Sequence, residues 1–111
     1  MRTSILILAL AAAFSNAPPG ARAADTVPKF DIVKNCKAEM AATAGVGTQA
    51  SCTQDEEQAR QQLIQKWGQF AKDDKLACIR ETRSDGSPSY VELVTCLEIA
   101  TDNKARIKNT K

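Results

Sequence analysis

Few side chains in this sequence are equipped for chemistry. Its 111 residues include no histidine. That removes the usual general base, the usual partner of a nucleophilic serine or cysteine, and the commonest metal ligand. Four cysteines are present, Cys36, Cys52, Cys78 and Cys96, and no two are spaced as Cys-x-x-Cys. Neither a thioredoxin-like redox pair nor a zinc site with paired ligands is therefore expected. Acids cluster at Asp55-Glu56-Glu57 and Asp73-Asp74, where helices would begin and negative charge suits the positive end of the dipole. They read as start signals rather than as a pair of catalytic acids. Gly-x-Ser-x-Gly, Ser-x-x-Lys and phosphate-loop patterns are missing, and Gly45-Val46-Gly47 reads as a plain loop. The expectation is a chain with no catalytic, cofactor-binding or metal site, and not an enzyme. Trp67 and Tyr90 remain as candidates for ligand or partner contact, although such rings more often complete a small core.

The first residues bear on where these groups operate. Arg2 precedes the apolar run Ile5–Phe14, which breaks at Asn16 and Pro18-Pro19-Gly20 before Ala21-Arg22-Ala23. That order matches a secretory signal with a small-x-small cleavage site. About ten apolar residues fall short of the roughly 20 that a spanning helix needs. Cleavage after Ala23 leaves 88 residues, Ala24–Lys111, as a single domain. Loss of Arg2 and Arg22 lowers Lys plus Arg from 15 to 13, which equals the 13 Asp plus Glu. A formally neutral protein lacks the basic surplus that nucleic-acid binding requires. No membrane span is expected in the mature form.

An exported chain with an even cysteine count reads as disulfide-stapled. Four cysteines allow three connectivities. The turn near Ala44 lies eight residues from both Cys36 and Cys52, and the turn near Gly86 lies eight from Cys78 and ten from Cys96. Two antiparallel helical hairpins would bring each pair face to face, so Cys36–Cys52 with Cys78–Cys96 is preferred. The rival pairings join the two hairpins. Each preferred bridge closes a loop of about 17 to 19 residues, which stabilises by roughly 3 kcal/mol on the chain-entropy model.

The secondary structure carrying these groups is helical, and no strand pattern of useful length appears. The densest apolar stretch is Pro88–Ala100, where Glu92, Thr95, Glu98 and Asp102 recur every three or four residues as one wet stripe. All other positions of that helix, Cys96 included, are expected to face inward. Ser87-Pro88 reads as its N-cap and N1, and Ser89 with Glu92 as a competing capping box two residues later. It is expected to fade after Asp102-Asn103, leaving a frayed polar tail over about 104–111. Phe30–Ala42 reads as a first helix with Asp31 as N-cap and Val33, Cys36 and Met40 on one face, after a loose lead-in over Asp25–Lys29. Thr53 with Glu56 reads as the capping box of an 18-residue second helix burying Ala59, Leu63, Trp67 and Phe70. A third, over Lys75–Arg83, buries Leu76, Cys78 and Ile79, unless it continues the second with a kink. Ser84-Asp85-Gly86 is a turn. The fold class expected is all-α, a bundle of three to four helices in two stapled hairpins.

Cys52-Thr53-Gln54-Asp55-Glu56, Ala59-Arg60, Leu63, Trp67, Cys78, Pro88-Ser89-Tyr90-Val91-Glu92-Leu93 and Cys96-Leu97-Glu98 together resemble a group of small exported proteins of proteobacteria. The resemblance covers roughly Phe30–Ala100. It implies a periplasmic location and carries over no functional residue. The functional expectation is a non-catalytic interaction module that binds another envelope protein. The alternatives are a small exported inhibitor or effector, and a carrier of a small apolar ligand with Trp67 and Tyr90 at its mouth.

Overall fold

A computed structural model describes residues 25–43 and 47–110. The segment read as a signal peptide and most of Gly45-Val46-Gly47 lie outside the described residues. Four α-helices run in order: α1 Ile32–Ala42, α2 Gln49–Lys66, α3 Lys72–Arg83 and α4 Tyr90–Asn109. A short 3-10 turn, Trp67–Gln69, follows α2. No strand occurs among the described residues, so the class is all-α. Helix α1 pairs with α2, α3 pairs with α4, and α2 against α4 joins the two hairpins.

Both preferred disulfides are present. Cys36–Cys52 ties α1 to α2 and Cys78–Cys96 ties α3 to α4, each with Cα atoms 5.7 Å apart. The hydrophobic core sits where α2, α3 and α4 meet. Leu63, Leu93 and Leu97 are sealed from solvent, with Ala59, Trp67, Ile79, Tyr90 and Val94 around them. Full burial of a leucine side chain stabilises by about 1.5–3 kcal/mol, so these three dominate a core this small.

Several boundaries differ from expectation. Asp31 does cap α1, its Oδ1 accepting from the Lys34 N–H at 3.0 Å. However, Val33 is 55% exposed, and Ile32, Asn35 and Cys36 form the inward face instead. That register follows from the lead-in, which is pinned rather than loose. The Tyr90 hydroxyl donates to the Pro28 carbonyl at 2.9 Å and accepts from the Phe30 N–H at 2.8 Å.

Helix α2 starts one turn earlier than the Thr53–Glu56 pattern implies. Thr48 is the N-cap: its Oγ1 accepts from the Ser51 N–H at 3.0 Å, and Ser51 Oγ accepts from the Thr48 N–H at 3.3 Å. Gly47, at φ +89°, supplies the left-handed residue that leads into the cap. Thr53 is therefore interior and donates to the Gln49 carbonyl at 2.8 Å. Glu56 is freed from capping its own helix.

Extended backbone at Phe70 and Ala71 separates α2 from α3, so the two are distinct helices. Gly86, at φ +83°, makes the turn after α3. Ser89, not Ser87, caps α4, with its Oγ accepting from the Glu92 N–H at 3.2 Å. Glu92, Thr95, Glu98 and Asp102 face solvent as the wet stripe requires, but Val91 and Ile99 are also exposed, at 40% and 55%. Among the described helices, α2 and α3 pack along α4, and the lead-in meets it at Tyr90, so these contacts do not cover Val91 or Ile99. The helix also continues past Asn103 to Asn109. Lys104 holds Asp74 of α3 at 2.6 Å, and Arg106 and Lys108 complement the C-terminal end of the dipole.

Candidate functional site

Two concavities open on the surface, and their charges are opposite. The first lies between α1, the start of α2 and the turn into α4, with a volume of about 540 Å³. Glu39 comes from α1, Asp55 and Glu56 from α2, Asp85 from the turn and Glu92 from α4. Among the described residues, no lysine or arginine lines this cleft. Ala38, Ala42 and Val91 supply apolar surface between the acids.

The acids have different roles. Glu56 is only 2% exposed, and it holds the N-terminus of α4. One carboxyl oxygen accepts from Ser89 Oγ at 2.5 Å and the other from the Tyr90 N–H at 2.7 Å. A helix N-terminus leaves main-chain donors unsatisfied and favours negative charge, so Glu56 meets both demands from a different helix. Glu92 accepts from Thr82 Oγ1 at 2.9 Å, and Asp85 accepts from the Ser87 N–H at 3.0 Å. Glu39 Oε2 lies 3.3 Å from Cys52 Sγ, a sulfur that carries no hydrogen when bridged. Neither Glu39 nor Asp55 has a basic side chain within ion-pair distance among the described residues, where the ion pairs are Arg60–Glu57 and Lys104–Asp74.

Asn35 lines the same cleft at 7% exposure. Its Nδ2 donates to the Ser87 carbonyl at 3.0 Å, which fastens α1 to the second hairpin, while its Oδ1 is buried with no donor facing it. A buried acceptor left unpaired costs about 1–3 kcal/mol.

The second concavity, about 650 Å³, lies between the lead-in, α2 and the start of α3. Val27, Pro28, Ile64 and Trp67 give it apolar surface, and Lys29, Arg60, Lys72 and Lys75 bring positive charge. Trp67 is 6% exposed and Lys75 Nζ sits 5.1 Å from its ring centroid. Attraction of a cation to the face of an indole explains how so buried a lysine is held.

Of the two aromatic candidates, Trp67 lines this second cleft, whereas Tyr90 does not. Tyr90 is 1% exposed, stacks on Phe30 with centroids 4.8 Å apart, and spends its hydroxyl on the lead-in. The pair therefore does not form one mouth. Sequence reasoning missed Glu56, Asn35 and Lys75. Asn35 carried a signal, since it falls on the inward stripe of α1 between Ile32 and Cys36. Glu56 and Lys75 carried the same signal, Glu56 three and seven residues before Ala59 and Leu63, and Lys75 three and four before Cys78 and Ile79, but their partners lie on other elements.

Among the described residues, no group of three or more Cys, Asp or Glu side chains is placed to hold a metal ion. No helix among them is long and apolar enough to cross a membrane. Two closed disulfides fit an oxidising, extracytoplasmic compartment. No family model, no curated protein and no solved structure matches the chain.

Proposed function

We propose that this protein is a non-catalytic interaction module of the periplasm, exported there by the segment before Ala24, and that its acidic cleft takes a basic segment of another envelope protein. The observation that carries this reading is the composition of the cleft: among the described residues its lining has five carboxyl groups, from α1, α2, the turn and α4, and no basic residue. Such a field steers a cationic partner and rejects an anionic one. The apolar surface of Ala38, Ala42 and Val91 suits the stems of lysine or arginine side chains.

The test is a titration of the isotope-labelled, oxidised protein with a short Lys- and Arg-rich peptide, followed by amide shifts. Saturable shifts are expected at Ala38, Glu39, Asp55 and Val91, with affinity falling as salt rises. The Glu39→Gln/Asp55→Asn variant is expected to bind roughly ten-fold more weakly. Equal binding of an acidic peptide, or no saturable shift at the cleft, sinks the reading.

A second reading, a carrier of a small apolar ligand, draws on the other cleft, where Val27, Pro28, Ile64 and Trp67 offer apolar surface to a guest.

A further inference from the structure

We infer that the Trp67 cleft is a binding site for an anionic amphiphile, a molecule with an apolar tail and a single negatively charged head; this rests on the carrier reading and names its ligand class. The argument starts from Lys75. It is 9% exposed, so its stem is enclosed, and no carboxylate of the described residues lies within 4 Å of its ammonium. No acid balances this ammonium, and the Trp67 ring meets only part of its demand for negative charge. The ammonium is not among the sealed, partnerless atoms, and its residue lines the cleft. An incoming anion can therefore reach it.

The surroundings repeat the same preference. Lys29, Arg60 and Lys72 bring three more positive charges to this cleft, and Asp25 is the one acid among its described lining residues. Arg60 is shared with Glu57 at 3.6 Å, a loose and exposed pair. Beside these charges lie Val27, Pro28 and the Trp67 ring, together with Ile64, which is 49% exposed although large and apolar. A tail laid over Ile64 and against the edge of Trp67 removes the Ile64 surface from water while the head meets Lys75 and Lys72. A purely apolar guest leaves Lys29, Lys72 and Lys75 unanswered, and a purely ionic one leaves Ile64 wet. The volume of about 650 Å³ falls within the roughly 300–1,000 Å³ of small-molecule sites.

The protein contains one tryptophan, so its emission reports on this cleft alone. The exported, oxidised protein is titrated with dodecanoate below its micellar concentration, and in parallel with dodecyltrimethylammonium, dodecanol and inorganic phosphate. Dodecanoate is expected to give a saturable emission change. Dodecanol and the cationic amphiphile are expected to bind roughly ten-fold more weakly, the loss typical of a hydrogen bond to a charged group, and phosphate not at all. Lys75→Met, which keeps the stem on Trp67, is expected to weaken dodecanoate by a similar factor. Because Lys75 is enclosed, the exposed pair Lys72→Gln/Arg60→Gln serves as a second variant that does not disturb folding, with an expected loss of a few-fold that fades in high salt. Vesicles of phosphatidylglycerol distinguish the source: a response to them but not to monomeric dodecanoate assigns the same chemistry to a lipid headgroup. Equal affinity for dodecanol, or no effect of either variant, overturns the anionic preference but leaves the carrier reading standing. No saturable change with any of these compounds overturns both.

Discussion

Glu56 Oε2 accepts a hydrogen bond from the main-chain N–H of Tyr90 at 2.7 Å, across 34 residues of sequence. The contact joins the two hairpins at the point where the buried helix α4 begins. Each hairpin has its own disulfide, but no disulfide connects one hairpin to the other. The union therefore depends on apolar packing of α2 against α4, on Tyr90 with Pro28 and Phe30, on Asn35 with Ser87, and on this carboxyl group.

Glu56→Gln is expected to destabilise the protein by about 1.5–3 kcal/mol, since an amide offers one acceptor where the carboxyl offers two. Glu57→Gln, on the exposed side of the same helix, is expected to change stability by less than about 0.5 kcal/mol. Urea unfolding of the oxidised variants measures both. Equal stability of the two variants contradicts a fastening role for Glu56.

Tyr90→Phe keeps the ring on Phe30 but deletes the hydroxyl that bridges Pro28 and Phe30. A loss of about 1–2 kcal/mol is expected. Amide exchange at Phe30 is expected to accelerate, because its N–H loses its acceptor, while exchange in the centre of α4 stays slow. The same variant is expected to loosen the lead-in that walls the Trp67 cleft.

Each disulfide has a glutamate beside it. Glu39 lies 3.3 Å from Cys52 Sγ, and Glu81 lies 3.4 Å from Cys96 Sγ. Reduction by thiols proceeds through an anionic thiolate, so a neighbouring carboxylate repels the attacking species. Glu39→Gln and Glu81→Gln are each expected to speed glutathione exchange at the adjacent bridge by roughly two- to five-fold at low ionic strength, less in high salt. Reduction by a neutral phosphine is expected to be unaffected. A rate unchanged with glutathione refutes the electrostatic account.

Replacing Cys78 and Cys96 together by alanine opens the bridge between α3 and α4, whose ends are 18 residues apart in sequence. The expected loss is about 3 kcal/mol by thermal or urea unfolding. Helix α4 carries most of the sealed apolar side chains, so this variant is expected to lose cooperative unfolding before the one lacking Cys36–Cys52 does.

Features that arise from neighbouring residues were legible before any fold was known. Helical periodicity, Asp31 as a cap, the turn at Gly86 and the even placement of cysteines about two turns all act within a few residues, and they suffice for an all-α pair of stapled hairpins. Choices between equivalent local signals were decided by tertiary structure. Thr48 and Thr53 both precede acceptable capping partners, and the register that lets Cys52 meet Cys36 places the start at Gln49. Ser87 and Ser89 both suit a cap, and Ser89 is the one that Glu56 and Thr82 reach. The roles of Glu56, Asn35 and Lys75 depend on which helices lie opposite them, at separations of 34 and 52 residues for the first two. No periodicity encodes a contact of that range, so the acidic cleft and the basic one exist only once the hairpins have closed on each other.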